Sequence, residues 1–395
     1  MEDLTSGQHP TADISDFTVV EEQSTGRIVS SLCTIPQTWR YEEIELPVGR
    51  PELVGTLAEY RQKGLVRAQM EAIHAKGAAR GELMQGITGI PWYYRQFGYE
   101  MALDLGGGRS YIWERPGNLV HLADEEEMYT WRIARESDIP LLSQLYAQHC
   151  APNLFSSTRT EAIWRHDLGG HQAESVQARH FWVIVHKTLG DVGYVQFAIW
   201  EPSIVIHEVA VVAGHSLRAV ALYLTRMFKG LAKMRVEKEK KKPVTNLFFR
   251  MADNHPLVAA LGRQLEQYQR PYAWYIRFPD VPAFLRHIQP VLEARLAASV
   301  MAGHTGKLRL NLYRGGTLQL GFEQGILTKI DTYVKQEVAD GDAHFPDLLL
   351  NQLLCGRRTL PELTAIHADC YGTAEAEILL GILFPKRPSL VLGVG

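Results

Sequence analysis

Several features that mark common protein classes are scarce or missing in this 395-residue sequence. It has only 4 cysteines, scattered and without a C-x-x-C pair, which argues against a structural zinc or a disulfide framework and fits a reducing cytoplasm. No apolar run reaches the length of a membrane span. The net charge of −3 gives the whole protein no drive toward nucleic acids or membranes. We therefore expect a cytoplasmic protein with no nucleic-acid partner and no membrane partner.

The motifs of several enzyme classes are also missing. There is no G-x-x-x-x-G-K-[ST] triphosphate loop and no G-x-G-x-x-G dinucleotide fingerprint, and Gly106–Gly108 opens no helical pattern. No G-x-S-x-G occurs, so nothing in the sequence supports a serine-nucleophile hydrolase. No group of histidine, cysteine and acidic residues has the spacing of metal ligands. We therefore expect no metal cofactor.

The composition is that of a globular protein of about two or three domains. Hydrophobic residues make up 46% and charged residues 22% of the chain, which supports a buried core in each domain. Residues 1–16 are polar and acidic without an apolar run, so they predict a flexible leader and no signal peptide.

A strand–turn–helix pattern near the N-terminus is the most informative stretch. Apolar residues recur at three- and four-residue steps through residues 65–77, which predicts a helix packed on a sheet. Gly64 stands at its start, among Arg61, Lys63 and Arg67. The first N–H groups of a helix have no internal partner and its dipole is positive there, so bases at that end call for a bound anion. A solvated helix start is the weaker alternative, and we infer a phosphate ligand, in particular a pyrophosphate.

Two motifs flanking this helix resemble those of a known superfamily. The string Arg61-x-x-Gly64-Leu65-Val66-Arg67-x-x-Met70 resembles the coenzyme A turn of the GNAT acyltransferases, and more closely that of their Eis-type (enhanced intracellular survival) branch. Val66 departs from the small residue that usually ends the shorter GNAT pattern. The string Tyr94-Arg95-Gln96-Phe97-Gly98-Tyr99 resembles the Tyr-x-x-Phe-Gly-Tyr signature of the same branch. One helix and one strand separate the two motifs, as the resemblance requires.

The resemblance implies an N-acetyltransferase that binds acetyl-CoA and passes the acetyl group to a primary amine by direct attack. The pantetheine arm would lie along an opened strand, and the pyrophosphate in the turn that follows it. The residues that the resemblance assigns to coenzyme binding are Val54, Gly55, Thr56, Arg61, Gln62, Lys63, Gly64, Leu65, Val66, Arg67, Gly89 and Ile90.

Catalysis of this kind needs a general acid and a general base. Tyr94 matches the family's general-acid tyrosine; packing among aromatic neighbours is its alternative role, and Tyr93 is the alternative position. In Eis-type enzymes the C-terminal carboxylate acts as the base, which would be that of Gly395 here. The apolar tail could instead be a buried strand, and Glu43 and Glu45 are substitute bases.

The resemblance also predicts the domain organisation: an α+β protein with two GNAT-like mixed-sheet domains followed by a sterol-carrier-protein-like domain. The first domain covers residues 17–120 and lacks the family's usual opening strand and helices. The second covers residues 128–280, and its turn at residues 213–217 lacks the coenzyme A pattern, so we expect a scaffold or acceptor wall. The sterol-carrier-like domain covers residues 281–395. Relatives assemble, so a homo-oligomer is implied.

Two other functions stay open at this stage. Without the opening elements, the chain could be a non-catalytic coenzyme A- or lipid-binding module, and an open cavity under the last antiparallel sheet would favour a lipid carrier. The sequence does not identify the acceptor among aminoglycosides, polyamines, peptide lysines and small metabolites.

Overall fold

The computed structural model describes residues 2–115, 118, 126–172, 175, 177–240, 242–346 and 348–391. Among these residues, no helix combines the length and the apolar character needed to cross a bilayer. The elements up to residue 115 are α1 (Glu2–Thr5), β1 (Phe17–Glu22), β2 (Arg27–Tyr41), β3 (Ile44–Thr56), α2 (Leu65–Ala79), β4 (Met84–Ile87), β5 (Glu100–Leu105) and β6 (Gly108–Ile112).

The elements between residues 126 and 277 are β7 (Tyr129–Ile133), α3 (Ile139–Cys150), β8 (Phe155–Ser157), α4 (Glu161–Arg165), β9 (His180–His186), β10 (Gly190–Trp200), β11 (Ser203–Val211), α5 (Leu217–Glu239), β12 (Asn246–Phe249), α6 (Pro256–Leu261), β13 (Leu265–Gln269) and β14 (Tyr272–Arg277). The elements that follow are α7 (Val281–His287), α8 (Gln289–Ala297), β15 (Gly306–Asn311), β16 (Thr317–Glu323), β17 (Ile326–Asp331), β18 (Ala343–His344), α9 (Leu350–Leu354), α10 (Leu360–Thr364), β19 (Tyr371–Gly372) and α11 (Ala374–Leu383).

These strands form three mixed sheets, which agrees with the predicted α+β class. The first has the order β1-β2-β3-β4-β14-β5, with β8 paired to β2, and the second has the order β13-β6-β12-β11-β10-β9-β7. The third has the order β17-β16-β15-β18-β19. Each contains one parallel pair, namely β3 with β4, β11 with β12, and β15 with β18.

Helix α2 packs on the first sheet by the face that its periodicity predicts. Met70 and Ile73 are fully buried there. Gly77 brings the helix close to the buried Glu82, because a Cβ at Gly77 would lie 2.2 Å from the Glu82 Oε2 atom. The predicted helix is thus confirmed, and its glycine is a close-packing position.

Residues 2–16 pack on the first sheet and helix α2, in contrast to the predicted flexible leader. Leu4 and Ala12 are buried in a small core with Cys33. Asp16 is also buried, and its carboxylate lies 2.8 Å from the Lys76 Nζ atom of α2. The polar composition suggested a solvated segment, but its ion pairs and few apolar side chains attach it to the sheet and helix.

The three predicted domains are termed the first, second and third unit. One strand from each of the first two units pairs in the sheet of the other. Strand β6 sits between β13 and β12 in the second sheet, and β14 sits between β4 and β5 in the first. Residues 106–108 are three consecutive glycines that open no helical pattern, and residues 108–112 form β6. Its glycines allow close approach: a Cβ at Gly108 would lie 2.0 Å from the Phe249 carbonyl oxygen. The sheets therefore cross the boundaries predicted at residues 120 and 128.

In the third unit, β15 to β17 form an antiparallel meander. Residues 281–297 form two helices, α7 and α8, which are divided at Ile288 because Pro290 begins a new helix there. The inward side chains of the meander, such as Leu310 and Leu320, are buried in a core that also contains residues of the first sheet.

The end of the described chain returns to the first sheet. The Leu154 N–H donates to the Pro388 carbonyl oxygen at 2.7 Å, and the Leu390 N–H donates to the Phe155 carbonyl oxygen at 2.8 Å. Ser156 and Leu390 form a parallel bridge. These bonds place the tail beside β8.

Candidate active site

The parallel strands β3 and β4 separate partway along their length. Val48 pairs with Met84 and Gly49 pairs with Gln85, and no further pair joins the two strands among the described residues. Strand β3 continues for seven more residues to Thr56. Separated parallel strands leave backbone polar groups and space between them, which is where a ligand can enter.

A β-bulge lies in the separated part of β3. Leu53 and Val54 together oppose the single residue Leu32 of β2, and Leu53 has a φ of 55°. Bulges often redirect backbone and side chains beside active sites. The predicted pantetheine-binding residues Val54 and Gly55 lie at this bulge.

The turn that follows β3 leaves the start of α2 open. Gln62 and Gly64 both have positive φ angles, of 62° and 77°. Gly64 is the N-cap residue, so no side chain caps the helix, and its first turn has no acidic residue. Several backbone N–H groups therefore stay available to an anion. The corresponding turn of the second unit differs, since the Ser216 side chain accepts a hydrogen bond from the Ala219 N–H and caps α5.

The three bases of the turn are exposed and have no acidic partner in the described part of the chain. The Arg61 Nε donates to the Thr56 carbonyl oxygen at 3.4 Å, and Lys63 lies over an aromatic ring. The Arg67 Nη2 donates to the Gln96 Oε1 at 2.9 Å, which joins the helix start to the second sequence motif. The predicted residues Leu65 and Val66 are half-buried in the first turn of the helix.

Tyr94 lies on a short 3-10 helix, Tyr94–Phe97, after β4. Its side chain is 2% exposed, and its ring contacts Tyr93 and Tyr275 edge-on at 5.3 and 5.6 Å between centroids. Its hydroxyl makes no hydrogen bond to any residue that the structure describes. Burial raises the pKa of Tyr94 to about 12, and the charge of Glu52 adds to this effect. Tyr94 is thus a protonated phenol with a free donor.

The loop before Tyr94 carries the other predicted pantetheine contacts. Gly89 has a φ of 113°, and a Cβ there would lie 4.0 Å from the Tyr94 hydroxyl oxygen. Ile90 is 47% exposed. On β3, the Thr56 hydroxyl lies 2.8 Å from the Ser30 hydroxyl. The predicted residues therefore fall on three neighbouring segments: the end of β3, the start of α2 and the loop after β4.

Sequence reasoning missed Tyr275. Inserted strand β14 places it at the site, where the Tyr275 hydroxyl accepts a hydrogen bond from the Trp92 N–H at 2.6 Å. Trp92 has a φ of 63°, so this bond holds the loop before Tyr94 in an unusual conformation. No local signal announces Tyr275, because its role depends on a strand far along the chain entering the first sheet.

A cavity of about 820 Å³ lies between the first two units. Strand β3 contributes Arg50, and Thr88 follows the end of β4. The second unit contributes His207 and Arg250 among others, and the tail contributes residues 389–391. The second unit and the tail therefore form walls of the space next to the separated strands β3 and β4. None of the residues lining this cavity belongs to the third sheet.

The three candidate general bases lie in different parts of the chain. Gly395 lies outside the described residues, although residues 389–391 line the cavity. Glu43 and Glu45 are exposed at the opposite end of β3 from the turn that precedes α2, so these substitute bases do not face the cleft. Their role as bases stays a prediction, which this placement does not favour. Among the described residues, no group of three or more histidine, cysteine or acidic side chains could hold a metal ion.

Comparisons with known proteins show what the chain is similar to. Residues 2–102 match a family model described as acetyltransferase (GNAT) domain. No curated protein matches the chain in sequence. Similar solved structures include a probable N-acyltransferase from Enterococcus faecalis V583 (14% identity, 93% of this chain and 86% of that one, TM-score 0.66). They also include a GCN5-related N-acetyltransferase from Anabaena variabilis (16%, 95% and 89%, 0.65) and Eis1 from Mycobacterium abscessus (14%, 95% and 90%, 0.60). At these identities, the structural likeness speaks for the fold.

Proposed function

We propose that this chain, which is similar to GNAT-type acyltransferases in residues 2–102 and has an Eis-like fold, transfers an acetyl group from acetyl-CoA to a primary amine by direct attack. The observation that carries the proposal is the open start of α2 beside the separated strands, with the unpartnered Tyr94 hydroxyl close to Gly89. An anion site, a slot between strands and a proton donor are the three parts that acyl transfer from coenzyme A requires.

The donor substrate fits the residues present. The backbone N–H groups of the turn and first helical residues would hold the pyrophosphate, with Arg61, Lys63 and Arg67 adding positive charge. The bulge at Val54 would face the pantetheine arm. A Cβ at Gly64 would meet no atom of the described residues within 4 Å, so the space at the helix start is open to them.

Tyr94 would protonate the departing thiolate. A phenol whose pKa burial raises to about 12 remains protonated at neutral pH, and its hydroxyl has no competing partner in the described chain. Its close approach to Gly89 puts the donor next to the loop assigned to the pantetheine arm.

The amine must lose a proton to attack, and we propose that the C-terminal carboxylate of Gly395 accepts it. The support is the course of the preceding residues, since Ser389, Leu390 and Val391 line the cavity that adjoins the separated strands. We further propose a cytoplasmic, homo-oligomeric enzyme whose third unit is sterol-carrier-like, as the sequence resemblance implies.

The proposal is tested with the full chain, acetyl-CoA and a broad panel of amines, by measuring release of the free thiol. We expect amine-dependent release with at least one primary amine, and acetylated product by mass spectrometry. Acetyl-CoA binding without thiol release across the panel would contradict the proposal and favour the non-catalytic coenzyme A-binding module.

A further inference from the structure

The second unit has its own pair of separating parallel strands. Strands β11 and β12 pair from Ser203–Asn246 to Ile206–Phe249, and the Arg250 N–H still donates to the Ile206 carbonyl oxygen at 2.9 Å. Beyond that point, His207 on β11 and Arg250 after β12 are the first residues of the gap. Both line the cavity of about 820 Å³ that also reaches Arg50 and Thr88 in the first unit.

The charged residues lining this cavity are mostly basic, although the whole chain has a net charge of −3. They are Arg50, Arg159, Arg179 and Arg250 against Asp104 and Asp167. Two of these arginines form ion pairs with acidic side chains: Arg50 with Glu52 at 2.7 Å, and Arg159 with Glu208 at 2.7 Å. Asp104 is likewise paired, with Arg357 at 3.1 Å.

Arg250 differs from these residues, because no acidic side chain pairs with it anywhere in the described chain. Its guanidinium carbon lies 5.7 Å from the centroid of the Trp200 ring, and that of Arg179 lies 5.1 Å from the same ring. One indole thus positions two guanidinium groups by cation–π contacts. Burial lowers the pKa of Arg179 to about 10, and the nearby charge of Arg250 adds to this.

His207 supplies a second, independent observation. It is 6% exposed, its ring meets that of Trp200 edge-on at 5.2 Å, and its Nε2 has no hydrogen-bond partner among the residues that the structure describes. A buried polar atom without a partner is costly, and a ligand in the cavity is a way to satisfy it. A neutral imidazole can donate one hydrogen bond to an anion.

We propose that Arg250 and His207, beside Trp200, form an anion-binding subsite for the acceptor, which would be an amine that also carries a carboxylate or phosphate group. This inference rests on the proposed acetyl transfer and narrows its substrate class. The anionic group binds in the gap of the second unit while the amine reaches the gap of the first through the shared cavity. Polycationic acceptors are disfavoured, since the Arg250 charge would repel them.

The test compares three amines of equal length: an aminoalkanoate, the corresponding aminoalkyl phosphate and the uncharged amide. We expect one or both anionic amines to have a KM at least about 10-fold below that of the amide, because a hydrogen bond to a charged group is worth that much. The ratio between the two anions tells whether carboxylate or phosphate is the preferred group.

The variant Arg250→Gln should reduce the preference for the anionic amine by about 10-fold or more, and Arg250→Lys should restore part of it. Arg314→Gln removes the same charge from an exposed position in the third unit and should leave the preference intact. Thermal unfolding checks that each variant is folded.

Three results would overturn the inference. The first is equal use of the amide and the anionic amines, and the second is an unchanged preference in a folded Arg250→Gln variant. The third is a rise in the KM of acetyl-CoA alone in that variant, which would assign the subsite to the donor. Calorimetry separates the two proposals: binding of an anionic amine without any thiol release supports the subsite and contradicts acetyl transfer.

Discussion

Replacing Tyr94 by phenylalanine removes one hydroxyl and nothing else from the site. That hydroxyl has no hydrogen bond to any described residue, while the ring it belongs to is 2% exposed and packed edge-on against Tyr275. The phenylalanine ring keeps this packing. We therefore expect the free energy of unfolding to change by less than about 0.5 kcal/mol.

The effect on turnover should be much larger. A positioned general acid contributes about 10²- to 10⁴-fold to a rate, so kcat should fall by this factor, or about 3 to 5 kcal/mol in activation free energy. The Kd of acetyl-CoA should change little, because the predicted pyrophosphate contacts lie on the turn at residues 61–67. Since burial raises the pKa of Tyr94 to about 12, this phenol should cause no alkaline loss of wild-type activity below about pH 11.

Thiol-release kinetics and calorimetry with acetyl-CoA measure the two quantities separately. Tyr93→Phe is the matched control in the neighbouring position and should keep its kcat. Tyr99→Phe is the control for stability: its hydroxyl lies 2.9 Å from the His74 Nε2 and donates to the Gln85 Oε1 at 3.2 Å, so its removal should cost about 1 to 2 kcal/mol without loss of turnover. An unchanged kcat in Tyr94→Phe, or an equal loss in Tyr93→Phe, would refute the assignment.

Three further predictions test other parts of the structure. Gly64→Ala and Gly81→Ala both place a Cβ at positive φ with no atom of the described residues within 4 Å, so each should lower the free energy of unfolding by about 1 kcal/mol. Only Gly64→Ala should weaken acetyl-CoA binding in calorimetry, by about tenfold or more. Equal weakening would contradict the anion site. Gly77→Ala should destabilise by about 1 to 3 kcal/mol in denaturant, since its Cβ would lie 2.2 Å from a buried carboxylate, whereas Gly230→Ala in open space should stabilise by about 0.5 to 1 kcal/mol. Burial lowers the pKa of His9 to about 4, so below about pH 6.5 the unfolded chain binds a proton at this histidine more readily than the folded chain does. The contribution of His9 to the free energy of unfolding should be full above that pH and decline toward pH 4, and the decline should be smaller in His9→Asn. An unchanged pH profile of stability in that variant would contradict this account.

The local parts of the site were predictable from the sequence. The period of residues 65–77 gave α2 its place and its buried face, and Gly64 at the helix start was recognisable because glycine tolerates the positive φ that opens the turn. Tyr94 followed from its motif. All of these depend on residues close together in the chain.

The long-range parts were not predictable from local patterns. Tyr275 reaches the site only because β14 pairs with β4 and β5, and strand pairing across such a separation has no signal in either segment alone. The three glycines of residues 106–108 have no helical pattern in the sequence, and only the structure shows that the missing Cβ of Gly108 lets β6 lie close to β12. Arg250 and His207 lie together for the same reason. His207 is in β11 and Arg250 follows β12, and only the pairing of these two strands brings the residues side by side.

Strand β6 pairs in the second sheet and β14 pairs in the first, so each sheet contains a strand from the other unit. A gene fragment that ends near residue 107 would lack β14 and expose the edges of β4 and β5, and it would also remove the tyrosine that fixes the Trp92 loop. A fragment that begins after β6 would lack a strand from the middle of the second sheet. A fragment that begins before β6 would keep that strand. Dissection into separate domains should therefore yield insoluble pieces, and thermal unfolding of the intact protein should disrupt the proposed donor site and the proposed acceptor wall together.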